Sequence, residues 1–169
     1  CPLEEVSTLT AWTVVAVSNA VERVCGVRPG IKWPNDVILD GRKLCGILTE
    51  LELEAETAAL RHVVVGVGIN LTQTAADFGP EVAPVAVSLA QALGRAPRRA
   101  EMAAAVRAAL DELYAAFPAE RAAWLERYRA DCLTLGRTVR LLRAGEEAEA
   151  FAEALSSGEV AVRGLLGYV

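Results

Sequence analysis

Apolar positions in the first half of the chain change from helical spacing to strand-like runs. Residues 7–25 are apolar on almost every face, which predicts a buried helix. Ser7 or Thr8 can cap its start, and Gly26 can end it. Shorter apolar runs bounded by turn residues predict four strands, at about 31–33, 37–40, 42–53 and 60–67.

The second half of the chain is mainly helical in its spacing. Residues 71–83 predict a loop, because Gly79-Pro80 and Pro84 break regular structure. Apolar spacing predicts three helices, at 85–93, 98–117 and 119–132, and then short strands at 138–142 and 160–163. Adjoining strands followed by segregated helices indicate an α+β fold.

Residues 31–50 hold the densest group of charged and polar side chains. Asp40-Gly41 is a strong signal for a two-residue hairpin turn. The hairpin would bring four polar side chains together at its base: Lys32, Asn35, Asp36 and Lys43. Lysines at such a site can hold a carboxylate and phosphates, and a carboxylate can meet a metal ion.

Composition excludes several function classes. The net charge of −5 argues against a general nucleic-acid surface. No apolar run approaches the ~20 residues of a membrane span. The four cysteines are far apart in sequence, at positions 1, 25, 45 and 132, and His62 is the one histidine. We therefore expect no zinc site and no Ser-His-Asp set, and instead buried, reduced thiols in a cytoplasmic protein.

Two motifs carry a resemblance to a known family. The first is Lys32-Trp33-Pro34-Asn35-Asp36 with the segment 41–48, Gly-Arg-Lys-Leu-Cys-Gly-Ile-Leu. The second is Gly66-Val67-Gly68-Ile69-Asn70, after a strand-like run. In their order and spacing these motifs resemble the core of the biotin protein ligases, and the resemblance covers roughly residues 7–133.

The resemblance implies a fold and an activity. It implies an α+β fold with a mixed sheet and helices, related to lipoate ligases and class II aminoacyl-tRNA synthetases, over residues 1–133. A small SH3-like β domain would occupy 134–169, apparently incomplete because 146–156 looks too short for the usual strands. The implied activity is ATP- and Mg²⁺-dependent conversion of biotin to biotinyl-AMP, then transfer to a lysine of a biotin carboxyl carrier protein. The resemblance also allows a homodimer.

The same resemblance implies roles for individual residues. Lys43 would contact the biotin carboxyl group and the adenylate phosphate, and Lys32 the ATP phosphates, which makes these two lysines the candidate catalytic residues. Gly46 and Ile47 would line the biotin pocket with Lys43. The ATP site would comprise Lys32, Asn35, Asp36 and Asn70, and Asp36 would also orient Mg²⁺. A cation between two mutually repelling anions lowers the cost of their approach, in accord with the place given to Lys43.

Alternatives stay open at the level of sequence. A lipoate or octanoate ligase or transferase of the related fold is the nearest, and an inactive biotin-binding fragment is another. The family carries a Gly-Arg-rich loop and a Ser/Thr segment ahead of the buried helix, whereas this chain starts at Cys1, just before that helix. We therefore expect an N-terminally truncated ligase with at most weak biotin affinity by itself. Trp33 is expected to pack in the core.

Overall fold

A computed structural model describes residues 3–54, 56, 59–116, 119–143, 146–156, 159–164 and 167–168. It contains these helices: α1 (Leu3–Cys25), α2 (Ala75–Val82), α3 (Leu89–Leu93), α4 (Arg99–Ala116) and α5 (Arg121–Asp131). The first four strands are β1 (Gly30–Lys32), β2 (Asp36–Leu39), β3 (Arg42–Leu53) and β4 (Leu60–Ile69). The last four are β5 (Thr138–Arg143), β6 (Glu146–Ser156), β7 (Glu159–Gly164) and β8 (Gly167–Tyr168). The α+β expectation is confirmed.

The first sheet is an antiparallel meander in the order β1-β2-β3-β4. Its central hairpin turns at Asp40 and Gly41, whose φ angles of 50° and 72° are both positive. Positive φ at both central residues is what a two-residue type I′ turn requires, and Gly reaches it without steric cost. Leu39 and Arg42 close the turn, as the sequence predicted.

The core lies between one face of this sheet and the helices. Helix α1 runs through it with Val14, Val17 and Val21 fully buried, because its apolar residues cover most of its circumference. From the sheet, Ile31 and Val37 are equally buried. The long buried helix predicted from the sequence is therefore present. Trp33, in contrast, is 38% exposed, so its predicted place in the core is wrong.

The segment predicted as a loop contains helix α2. Thr74 caps it by accepting from the Asp77 amide, and the Asp77 carboxylate accepts from the Thr74 amide in return. This reciprocal capping satisfies two backbone donors that a helix start otherwise leaves open. Gly79 then takes a φ of 74°, which kinks the helix just before Pro80. The breaker residues bend the segment here without preventing its helical turns.

The helix predicted at 85–93 forms only over α3. Its first residues are extended because they hydrogen bond to the first sheet: the Lys43 amide donates to the Val85 carbonyl at 2.8 Å, and the Val87 amide donates to the Lys43 carbonyl at 2.9 Å. The helix begins after Ser88, which forms a capping box with Gln91. Because residues 85–87 pair with the sheet, the helix lacks its predicted first turn.

A second antiparallel sheet follows in the order β5-β6-β7-β8. The strands predicted at 138–142 and 160–163 lie within β5 and β7. Strand β6 spans 11 residues in the segment that looked too short for the expected strands. It pairs with β5 on one side and β7 on the other. In the part of the chain that the structure describes, none of the helices has the length and apolar character to cross a membrane.

Candidate functional site

A row of paired residues crosses the first sheet at the base of the hairpin. Lys32 pairs with Asp36, Asp36 with Gly46, and Gly46 with Gly68. Directly opposed residues of antiparallel strands point to the same face. The next row points to the opposite face and into the core: Ile31, Val37, Cys45 and Ile69. The row with two charged residues therefore lies on the face opposite the core.

A β-bulge at Leu44 sets the direction of Lys43. Val37 pairs with Cys45, but the next residue of β2, Ile38, pairs with Lys43, so Leu44 is the extra residue. In a regular strand, Lys43 and Cys45 would share the core face, because side chains repeat every two residues. The bulge lets Leu44 and Cys45 both be buried and leaves Lys43 on the open face.

The Lys43 ammonium is held above Gly46. Its Nζ lies 2.6 Å from Oδ1 of Asp36. A Cβ added to Gly46 would lie 3.1 Å from that Nζ, so the ammonium occupies space next to the bare backbone. The Lys43 side chain is 46% exposed, and that of Asp36 is 21% exposed. A half-exposed ammonium that already holds one oxyanion can exchange it for a carboxylate or phosphate oxygen of a ligand.

The turn before β2 is fixed to its surroundings by hydrogen bonds. The Asn35 side chain donates to the Ile47 carbonyl at 2.7 Å, and the Ile47 amide donates to the Asn35 carbonyl at 3.1 Å. On the other side, the Tyr128 hydroxyl donates to the Pro34 carbonyl at 3.1 Å. Burial raises the pKa of that hydroxyl. These bonds connect the Lys-Trp-Pro-Asn-Asp turn to β3 and α5.

A cleft of about 450 Å³ lies along this face. It is lined by Asn35, Lys43, Gly46, Ile47, Leu48, Gly66, Val67 and Gly68. The surrounding protein atoms leave room for a side chain at two of these glycines. A Cβ would come no closer to its neighbours than 3.7 Å at Gly66 and 3.8 Å at Gly68. Glycine in a strand interior often marks a close approach of a ligand. The missing side chains therefore serve to keep the cleft open.

The structure brings most of the predicted site residues together. Asn35, Lys43, Gly46 and Ile47 line the cleft, and Asp36 contacts Lys43. The Ile47 side chain, only 2% exposed, belongs to the core cluster. Lys32 is exposed, in the same row of the sheet but outside the cleft lining. Asn70 lies where β4 ends and bonds to the Lys43 backbone.

Sequence reasoning missed three contributors to this site. They are the bulged Leu44, the cleft-lining Leu48 and the extended segment 85–87 beside Lys43. A signal for the bulge was present, because Leu44-Cys45 places two apolar residues where a half-buried strand should alternate. No comparable signal marked residues 85–87.

A magnesium ion is compatible with this site. Asp36 is a carboxylate beside the cleft, and Mg²⁺ often binds through one or two carboxylates together with substrate phosphates. Within the described residues, no group of three or more His, Cys, Asp or Glu side chains could hold a metal ion by themselves. Asp36 would have to exchange its contact with Lys43 for the metal.

Cys45 should be inert behind the cleft. Burial raises the pKa of its thiol to about 12, and the thiol is the protonated form at neutral pH. We expect no alkylation of Cys45 by iodoacetamide at pH 8 in the native protein, and labelling after unfolding, as measured by peptide mass spectrometry. Rapid native labelling would contradict this burial.

The raised pKa of the Cys45 thiol also predicts how the stability of the protein depends on pH. The unfolded thiol ionises near its ordinary pKa of 9.0, whereas the native thiol does so near 12. The unfolded state therefore binds fewer protons between these values, and the contribution of Cys45 to stability is complete below pH 9 and is lost as pH rises toward 12. Cys25 and Cys132 are also buried free thiols, and Cys1 lies outside the described residues.

The fold and site define an α+β protein with a cleft on the open face of an antiparallel sheet, beside the paired ammonium of Lys43 and carboxylate of Asp36. Residues 2–70 match the profile of the biotin/lipoate A/B protein ligase family. This segment contains β1 to β4, with the cleft-lining glycines of β3 and β4, and Asn70. Over these residues the chain is similar to that family.

Proteins of known sequence are consistent with this similarity. The chain is 42% identical over 99 residues to the bifunctional ligase/repressor BirA of Bacillus subtilis, over 59% of this chain and 30% of BirA. It is 34% identical over 143 residues to the biotin–[acetyl-CoA-carboxylase] ligase of Mycobacterium tuberculosis, over 83% of this chain and 50% of that protein. The matched part of the chain thus spans 30% to 50% of the length of these relatives.

Solved structures agree as well. The apo biotin protein ligase of Aquifex aeolicus superposes with a TM-score of 0.82 at 25% identity, over 99% of this chain and 72% of that one. The same enzyme in complex with biotin and ATP superposes with a TM-score of 0.77 at 26% identity, over 95% and 67% of the two chains.

Proposed function

We propose that this protein activates biotin with ATP to form biotinyl-AMP and transfers the biotinyl group to a lysine of a biotin carboxyl carrier protein. The observation that carries the proposal is the ammonium of Lys43, held by Asp36 at the side-chain-free surface of Gly46. The relatives named as biotin ligases, and the neighbour that binds biotin and ATP, support the choice of substrates.

The first chemical step needs two anions in contact. The biotin carboxylate attacks the α-phosphorus of ATP, and pyrophosphate leaves with the electrons of the broken P–O bond. Two unit charges 4 Å apart repel by roughly 4 kcal/mol at an effective dielectric constant of about 20. An ammonium between them offsets this repulsion, and one already held in place needs little reorganisation as charge develops. Lys43 would take this position at the cleft.

We assign the remaining site residues to the two substrates. Gly46 and Ile47 would border biotin, while Lys32, Asn35 and Asp36 would contact ATP and Asn70 would lie at the edge of the ATP site. Mg²⁺ would be held by Asp36 and would neutralise charge on the departing pyrophosphate. Lys32 lies in the same row as Asp36, so it can reach phosphates beyond the cleft without entering it.

The second step transfers the acyl group. The amine of a carrier lysine attacks the carbonyl carbon of biotinyl-AMP, AMP leaves, and the amine loses a proton. The open face of the sheet gives such a lysine access to the cleft. We propose further that the protein acts in the cytoplasm as a monomer or homodimer, consistent with its buried free thiols.

We also propose that the chain has two domains, at 1–133 and 134–169, the second of them SH3-like. Two features support this division. The strands of the second sheet pair only with one another among the described residues, and the first of them, β5, begins at Thr138.

The direct test measures pyrophosphate release and product mass with ATP, Mg²⁺ and either biotin, lipoate or octanoate. The proposal expects biotin-dependent release, a product with the mass of biotinyl-AMP, and labelling of a biotin carboxyl carrier domain. Release that depends on lipoate or octanoate but not on biotin would replace it with the related acyl-ligase function. Biotin binding without turnover would leave the protein a binding fragment and contradict the enzymatic proposal.

A further inference from the structure

Lys43 lies where the first sheet changes its pairing. The β3–β4 ladder covers Cys45 onward, and Cys45 pairs with Ile69 at the end of β4. Beside Lys43, the segment 85–87 takes the place of β4 and forms an isolated parallel bridge through Ala86. The backbone of Lys43 is thus held by short, local contacts next to a bulge rather than by a continuous ladder.

Asn70 connects the three segments that meet there. Its backbone amide donates to the Leu44 carbonyl at 2.9 Å, and its carbonyl accepts from the Leu89 amide at 3.0 Å. Its side-chain Nδ2 donates to the Val87 carbonyl at 3.1 Å and to the Lys43 carbonyl at 3.4 Å. Two carbonyl oxygens face this nitrogen, which fixes the orientation of the amide because only the NH₂ end can donate.

We propose that Asn70 is a positioning residue for Lys43, acting through the Lys43 backbone. This inference rests on the proposed adenylation of biotin. By holding the carbonyl of Lys43 and the neighbouring strand, the Asn70 amide keeps the ammonium over Gly46. A displacement of about 1 Å at a reacting centre can cost roughly 10²-fold in rate, so a small loosening of this junction is enough to matter.

The resemblance placed Asn70 in the ATP site, where its alternative role would be a direct hydrogen bond to the adenylate. Asn70→Asp separates the two roles, because it keeps an acceptor oxygen but turns a second oxygen toward the carbonyls of Val87 and Lys43. The positioning role expects both Asn70→Asp and Asn70→Ala to lower kcat for biotinyl-AMP formation by about 10- to 100-fold, with KM for ATP changed less than about threefold. A direct acceptor role expects KM for ATP to rise in the alanine variant and the aspartate variant to keep its kcat.

A double-mutant cycle provides a readout that general loosening of the fold would not give. If Asn70 acts through Lys43, then adding Asn70→Ala to Lys43→Ala should lower the residual rate by less than about threefold. Asn19→Ala is the matched control. It removes an amide oxygen on α1 that accepts from Arg28 Nη1 at 2.6 Å, outside the cleft lining, and it should lower stability without lowering kcat.

Hydrogen exchange tests the junction without reference to turnover. The Val87 amide donates to the Lys43 carbonyl, so Asn70→Ala should increase its exchange rate more than Asn19→Ala does. Unchanged Val87 exchange, independent rate losses in the cycle, or a kcat kept by Asn70→Asp would each overturn the inference. Absence of biotinyl-AMP formation in the parent protein would instead overturn the proposed function, and the exchange result would still decide whether Asn70 holds Lys43.

Discussion

Lys43→Ala should lower the rate of biotinyl-AMP formation by about 10²- to 10³-fold, the usual cost of removing a preorganised electrostatic contact. The Lys43 side chain is half exposed and lies on the face opposite the core, so the substitution should leave the fold intact. Pyrophosphate release under saturating biotin and ATP measures the rate, and circular dichroism with thermal unfolding checks the fold.

Arg61→Ala is the matched control for this experiment. Arg61 is an exposed cation in an ion pair with Glu52, toward the far end of the β3–β4 hairpin, and its removal should not change the rate. A Lys43→Ala variant as active as the parent would show that Lys43 is an ordinary surface residue.

The lysine content of the chain provides a second readout. Lys32 and Lys43 are its two lysines, so an amine-modifying reagent reports on these side chains and the chain terminus alone. Biotin with ATP and Mg²⁺ should protect Lys43 from modification in a peptide mass map.

Gly68→Val should weaken biotin binding at least about tenfold while leaving thermal stability near that of the parent. Valine favours extended backbone, and the nearest atom to a Cβ at this position is the Gly46 carbonyl oxygen at 3.8 Å, so the strand can accept it. The added methyl groups would project into the cleft, where they would occupy ligand space. Calorimetric titration with biotin measures the affinity, and thermal unfolding measures stability.

Val64→Ile serves as the volume control for Gly68→Val. Position 64 is on the same face of β4 as Gly68, 52% exposed and outside the cleft lining, so the added methylene should change neither quantity. Biotin affinity in Gly68→Val equal to that of the parent would show that the ligand does not lie over this glycine.

Local chemistry in the sequence determined much of the fold. Asp40-Gly41 predicted the hairpin because few residue pairs accept positive φ at both positions of a type I′ turn. The apolar circumference of α1 predicted its burial, since such a helix has no polar face to turn to water. The two glycine-containing motifs, read together, predicted the family and the residues that would meet at the hairpin base.

The errors in the prediction were at sites where distant segments compete for the same backbone groups. Residues 85–87 have helical spacing but bond to Lys43, which lies more than 40 positions earlier in the chain. Trp33 has an apolar side chain but lies in a turn, where its backbone amide donates to the Thr134 hydroxyl. Its ring stays partly exposed. Local propensity cannot anticipate such partners.

The sequence by itself determined which residue types meet: two lysines, Asn35, Asp36 and a set of glycines, brought together by a turn of known geometry. Only the tertiary structure decided how they act on one another. The Leu44 bulge turned Lys43 away from the core, and Asn70 joined its backbone to a strand segment that the sequence did not mark. The physical reason is that turn and helix signals depend on neighbouring residues in the sequence. The register of a bulged strand, and the donor that binds a carbonyl left open by its own strand, depend instead on which distant segments pack beside that strand.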